Sequence, residues 1–182
     1  MNYIQTEIDG VWLIEPEVFS DNRGYFMEAF KKQEFETHIG KVNFIQDNES
    51  KSSFGVLRGL HYQRGEYSQA KLVRVIMGEV LDVAVDLRQT SPTFGKHVSV
   101  VLSDKNKKQF FIPRGFAHGF LVLSNEAIFT YKVDNIYKPD SESTILYSDD
   151  FLKIDWSIAE NLLILSEKDK HAKSFNEAEY YI

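Results

Sequence analysis

The sequence predicts an all-β fold, a sandwich or barrel of short strands. Three observations carry that reading. Apolar and polar residues alternate in short runs at regular spacing, turn residues punctuate the runs, and little of the chain shows a helical period. Phe, Tyr and Trp make up 14% of the residues; aromatics favour half-buried pleated surfaces, which weighs the same way. At 182 residues the chain suits one domain, residues 1–182, with a C-terminal extension from about residue 150.

Taken in order, residues 10–14 read as a short strand. Asp21-Asn22-Arg23-Gly24 is turn chemistry, and residues 25–30 continue as a strand. A short helix is expected over 31–39, ending at Gly40. Residues 42–50 alternate and put Phe44, Gln46 and Asn48 on one face, so that face is not a plain core face. The strand over 56–63 is the centre of the chain, because it carries Arg58, Gly59 and His61 among apolar residues. Strand interiors disfavour glycine, so Gly59 marks a bulge or a close approach. Arg58 and His61 are three apart and fall on opposite faces of an ideal strand. A bulge at Gly59, or use by different subunits, would reconcile them.

Strands follow over 72–77 and 80–87, with Gly78 as the turn. In the second, Leu81, Val83 and Val85 share one face and Asp82, Ala84 and Asp86 the other. Further strands are expected over 97–102, 110–112 and 127–133, and a last one over 143–147. Phe129, Tyr131 and Val133 share a face. The region beyond is less regular and contains helix.

Bulk properties exclude several classes. The net charge of −6 disfavours a nucleic-acid partner, since phosphate neutralisation needs a basic surface. With no cysteine there is neither a disulfide framework nor a thiolate metal site. No apolar run is long enough for a membrane span, and the first residues lack the basic-then-apolar pattern of a signal peptide. A cytoplasmic protein is the expectation.

His61 is the residue of the central strand whose unperturbed pKa allows proton exchange near neutral pH. It reads as a base in a cationic strand or as a histidine packed and hydrogen-bonded in a sheet; for a lone histidine the packed reading is the commoner. Arg23, Arg58, Lys71, Arg74, Arg114 and Lys168 each read alone as surface charges. Arg58, between apolar neighbours, is expected to be buried and to need an anion, and phosphate suits its planar fork.

Pro113-x-Gly115-x-x-His118 resembles the second signature of the cupin superfamily of jelly-roll barrels. A metal-binding cupin also needs a His-x-His pair in its first signature. The matching place holds His61-Tyr62-Gln63, with Glu66 beyond. One histidine is too few for a first-row metal. A cupin-like jelly-roll β-barrel without metal is therefore expected, with short helices mainly at the C-terminus and His61 available as a base.

Seven ordered blocks extend the likeness from about Val11 to Asp169. They are Phe19-x-Asp21-x-Arg23-Gly24-Tyr25-Phe26-x-Glu28, Gln46-Asp47-Asn48-x-Ser50, Leu57-Arg58-Gly59-Leu60-His61-Tyr62-Gln63, Lys71-Leu72-Val73-Arg74, Gly78-Glu79-Val80-x-Asp82-Val83-Ala84-Val85-Asp86, Ser91-Pro92-Thr93-Phe94-Gly95 and Ile112-Pro113-x-Gly115-Phe116-Ala117-His118-Gly119-Phe120. Together they resemble the dTDP-4-dehydrorhamnose 3,5-epimerase family. The resemblance implies conversion of dTDP-4-dehydro-6-deoxy-D-glucose into dTDP-4-dehydro-L-rhamnose by a homodimer without cofactor. It implies His61 as base, Tyr131 as acid, Asp169 as the group orienting His61, and Lys71 at the developing enolate. It places Arg23, Phe26, Glu28, Gln46, Asp47, Asn48, Arg58, Lys71, His118, Glu142 and Lys168 on the nucleotide sugar. Arg114 stands where the family leads one to expect an acidic residue, and the tail after Asp169 is short and divergent.

These residue types suit the chemistry. A C4 ketone acidifies the hydrogens at C3 and C5, and inversion needs a base, an acid on the opposite face and a donor for the enolate oxygen. The same types also serve a 3-epimerase, a 5-epimerase or a 3,4-ketoisomerase of a dTDP-4-keto sugar. A non-catalytic sugar-binding cupin is the reading from another class.

Overall fold

Strand alternation sorts the chain into two antiparallel sheets whose apolar faces meet. The computed structural model describes residues 1–181. The strands are β1 (Asn2–Gln5), β2 (Trp12–Glu15), β3 (Val18–Asp21), β4 (Gly24–Met27), β5 (Gln46–Ser53), β6 (Leu57–Gln63), β7 (Lys71–Met77), β8 (Glu79–Asp86), β9 (His97–Ser103), β10 (Gln109–Ile112), β11 (Phe116–Val122), β12 (Glu126–Val133) and β13 (Glu142–Thr144); the helices are α1 (Lys32–His38) and α2 (Glu167–Lys170). One sheet runs β1-β2-β10-β7-β12-β5 and the other β13-β6-β11-β8-β9. Strands β3 and β4 form a hairpin that, among the described residues, pairs with no other strand. This is the expected jelly-roll barrel.

The interior between the sheets is filled by Val73, Val75, Phe110, Phe120 and Phe129 among others, with Phe120 and Phe129 stacked 4.1 Å apart. Outside the first sheet lies α1. Its Phe35 is buried against Phe111, ring centroids 5.2 Å apart. Burial of one such side chain is worth about 1.5–3 kcal/mol, and it holds a helix that at seven residues is too short to persist alone. Outside the second sheet, Leu57, Leu60 and Tyr62 of β6 lie under the C-terminal region, against residues such as Tyr147, Leu152, Trp156 and Phe175.

The expected elements are present with shifted ends. Strands β1 and β3 are additional, each four residues long, too short to carry a readable period. Strand β5 starts at Gln46, later than expected. The last strand is Glu142–Thr144 instead of 143–147; Ile145 still exchanges backbone bonds with Leu60 of β6 and also bridges to Lys173, and the ladder goes no further. Among the described residues the C-terminal cover contains one four-residue helix and single turns.

Gly59 sits in a bulge. His118 pairs with His61 and Phe120 with Arg58, so two steps on β11 face three on β6. Gly59 has φ +139°, and a Cβ there would lie 2.5 Å from Gly119 Cα, so no other residue fits. The extra residue sends Leu57 and Leu60 outward while both Arg58 and His61 turn to the barrel interior.

Candidate active site

The inward faces that carry the apolar filling also carry a cluster of titratable groups. Strand β6 supplies Arg58 and His61, β7 Lys71, β8 Asp82, β11 His118, β12 Tyr131 and β13 Glu142. Lys71, Val73 and Val75 alternate to one side of β7 while Leu72 packs on the outer one, so strand parity alone puts Lys71 inside. Tyr131 takes the same side of β12 as Phe129 and Val133.

His61 Nε2 lies 2.6 Å from Asp169 Oδ1. Asp169 is 2% exposed and is held from behind, with Ser166 Oγ–H donating to Oδ2 at 2.7 Å. Burial pushes the Asp169 carboxyl up, but the bonds from His61 and Ser166 outweigh it and hold the group below the usual carboxylate range. An ionised carboxylate only accepts, so His61 donates through Nε2–H and its free Nδ1 is the basic nitrogen. Burial pushes the Lys71 ammonium down to about 8, against the pull of Asp82 and Glu142. Burial raises the Tyr131 phenol above its ordinary value, with Arg58 opposing, so at neutral pH it is a proton donor.

Cations edge this interior. Arg58 donates to Ser52 Oγ at 3.1 and 3.2 Å. It is exposed, which corrects the expectation of a buried guanidinium: Arg58 stands on the inward face but at the rim of the interior, where water reaches it. Lys168 pairs with Glu142 at 2.5 Å, and Tyr137 O–H donates to the same carboxylate at 2.8 Å. Burial pushes Glu142 up, yet Lys168 and Tyr137 hold it below its usual range.

Other expected contacts lie elsewhere in the chain. Arg23 is exposed and pairs with Asp21 at 2.6 Å; Phe26 is 66% exposed; Glu28 pairs with Lys31 at 3.3 Å. All three belong to the β3–β4 hairpin or the chain just after it. Gln46 donates to Asn48 at 2.8 Å on the inward side of β5, across from Tyr131 and Val133. Asp47 points to the outer side and takes both its bonds from Lys132, at 2.8 and 2.9 Å; alternation forbids it the face of Gln46 and Asn48. Asp82 and Ser166 were not among the expected site residues. Asp82 had a sequence signal in its inward parity with Ala84, and Ser166 had one as a helix cap.

Among the described residues, no group of three His, Asp or Glu side chains is arranged to hold a metal ion. A carboxylate-backed histidine, an ammonium and a half-buried phenol that converge inside a jelly-roll barrel define an acid–base isomerase. The profile of the family described as dTDP-4-dehydrorhamnose 3,5-epimerase matches residues 5–177, and the chain belongs to that family. It is 55% identical over 183 residues to dTDP-4-dehydrorhamnose 3,5-epimerase of Shigella flexneri, covering 100% of both chains. It superposes on the crystal structure of dTDP-4-dehydrorhamnose 3,5-epimerase from Elizabethkingia anophelis NUHP1 with a TM-score of 0.95 at 52% identity, over 99% of each chain. The dTDP-6-deoxy-D-glucose-3,5-epimerase of Legionella pneumophila Philadelphia 1, in complex with dTDP-4-keto-L-rhamnose, superposes with a TM-score of 0.94 at 51% identity, over 98% of this chain and 94% of that one.

Proposed function

We propose that this chain inverts C3 and C5 of dTDP-4-dehydro-6-deoxy-D-glucose to give dTDP-4-dehydro-L-rhamnose. The observation that carries the reading is the His61–Asp169 pair at 2.6 Å, turned into the same interior as Lys71 and Tyr131. His61 Nδ1 takes the proton from the carbon next to the C4 ketone. The Lys71 ammonium stabilises the enolate oxygen, and Tyr131 returns a proton from the opposite face. General acid–base assistance of this kind is worth roughly 10²–10⁴-fold, and a preorganised donor at the oxyanion adds to it.

Arg58 and Lys168 are suited to the diphosphate; Lys168 exchanges its Glu142 partner for phosphate when substrate enters. Arg23, Phe26 and Glu28 have no part in their own chain's interior. The reading that gives them a role is a homodimer in which the exposed hairpin meets the second copy's site. Phe19, Tyr25 and Phe26 are all more than half exposed, an apolar set that favours a covered surface. A cleft of about 480 Å³, lined by Phe30, Asp47, Arg74, Ile76, Thr130 and Lys132 among others, opens along the outer side of the first sheet and favours the same assembly.

Incubation with the dTDP-4-keto sugar in deuterated water tests the reading. Deuterium at both C3 and C5 is the expected result. Label at one carbon identifies a single-centre epimerase, and no label overturns the catalytic reading.

A further inference from the structure

We propose that Asp82 is a positioning residue that locks His118 as its Nε2–H tautomer, so that His118 Nδ1 faces the barrel interior as a hydrogen-bond acceptor for a ring hydroxyl of the substrate. The geometry of the pair is independent of the reaction; the sugar hydroxyl as its ligand rests on the epimerase reading.

Asp82 is 0% exposed and stands on the inward face of β8, between the apolar Val80 and Ala84. A carboxylate buried there is costly unless a donor meets it. The donor is His118, whose Nε2 lies 3.0 Å from both carboxylate oxygens. No other side chain donates to Asp82 among the described residues. A carboxylate accepts and does not donate, so the proton of this bond resides on Nε2.

His118 is itself buried, 7% exposed. Burial pushes its ionisation down, aided by Lys71 and His61 and opposed by Asp82. These are the charged and titratable groups that face it from β6, β7 and β8. The ring is therefore neutral at pH 7, and with Nε2 protonated its lone pair sits on Nδ1. Nδ1 has no protein hydrogen-bond partner among the described residues. It is not one of the buried polar side-chain atoms sealed without a partner, which are Ser50 Oγ and Thr144 Oγ1, so it is reached from the interior. His118 pairs directly across from His61 and thus stands beside the base.

The surrounding groups explain why an acceptor is useful there. Arg58, Lys71, Tyr131 and Lys168 are all donors, which match a ketone and phosphates. A sugar hydroxyl also has a proton to place, and a neutral imidazole nitrogen takes it. The reverse tautomer would offer one more N–H and leave Asp82 buried without a donor. Asp82 thus converts a histidine of either polarity into one of fixed polarity.

Long-range ¹H–¹⁵N spectra of the free, labelled protein test the pair without substrate. His118, assigned by the signal missing in His118→Gln, should be a neutral Nε2–H ring at pH 7. A Nδ1–H ring or an imidazolium would overturn the proposal, and this measurement needs no variant at Asp82 to fold. Asp82→Asn should then mix the tautomers and lower kcat/KM by roughly 10–100-fold, the range for weakening a hydrogen bond to a charged group. Asp82→Glu should recover part of the loss. A folded Asp82→Asn protein with an unchanged ring signature and full kcat/KM would also overturn the proposal. Loss of deuterium exchange in the unaltered protein would instead refute the epimerase reading, and the tautomer result would stand.

Discussion

Asp169 reaches His61 across 108 positions of sequence, and the two side chains meet at 2.6 Å. The contact is set by Ser166, which caps α2 by accepting from Asp169 N at 3.2 Å and donates to the Asp169 carboxylate at 2.7 Å. Ser166 therefore fixes both the backbone and the free oxygen of the residue behind His61, the proposed base. Ser166→Ala should lower kcat by roughly 10-fold or more with little change in KM, since a hydrogen bond to a charged carboxylate contributes about 1.5–3 kcal/mol. Ser166→Thr should restore most of it. Steady-state kinetics on folded Ser166→Ala protein with wild-type kcat would refute the positioning role.

His61→Ala should abolish deuterium incorporation at both carbons while a dTDP ligand still binds, because the proposed phosphate contacts are Arg58 and Lys168. Tyr131→Phe keeps the ring and loses the acid. Proton removal should partly survive in it while inversion fails, so that label returns with retained configuration. Mass and NMR analysis of recovered sugar separates the two. Near-normal exchange in His61→Ala would remove the base assignment and the mechanism with it.

Much of this site was readable from side-chain parity, and its failures have physical causes. Gly59 announced the bulge that brings Arg58 and His61 to one interior, because a glycine inside an apolar strand needs a reason. The alternation over 42–50 put Gln46 and Asn48 on one face, which already implies the opposite face for Asp47, now seen paired with Lys132. Arg58 was expected to be buried on the strength of its apolar neighbours. Leu57 faces the other way by ordinary alternation and Leu60 by the extra residue, so neither covers the guanidinium. The His61–Asp169 contact is a tertiary event, and only the family resemblance suggested it. The β3–β4 hairpin was half legible: its turn is marked by Asp21-Asn22-Arg23-Gly24, but its four-residue strands carry no period.

Acid should unfold the protein partly through this site. Asp169 and Glu142 are both held below their ordinary values, so the folded state binds fewer protons than the unfolded chain. Their contribution is full above the unfolded carboxylate pKa values, about 3.9 and 4.3, and is lost as pH falls through the lower folded values. Asp169→Asn with Glu142→Gln should therefore flatten the acid limb of a Tm-versus-pH curve relative to wild type. Parallel curves for the two proteins below pH 5 would rule this out.

Lys71 sets activity against stability. Burial lowers its pKa from 10.5 to about 8, so the folded state holds that proton less tightly than the unfolded chain does. Two consequences of opposite sign follow. The proposed mechanism needs the ammonium at the enolate oxygen, so kcat/KM should fall as pH rises through about 8. Stability behaves the other way: between about 8 and 10.5 the unfolded chain binds more protons, so the Lys71 contribution to stability rises with pH. Below that window the buried charge is a net cost. Lys71→Met removes the charge and keeps an unbranched side chain of similar length. It should abolish turnover and raise Tm at pH 7, and the Tm gap over wild type should shrink as pH climbs toward 10.5. Taking the difference between the two proteins cancels the tyrosines that titrate in the same range. Calorimetry at pH 7 and pH 10 checks it, and a wild-type protein more stable than Lys71→Met at pH 7 would show that Asp82 and Glu142 outweigh the burial of the ammonium.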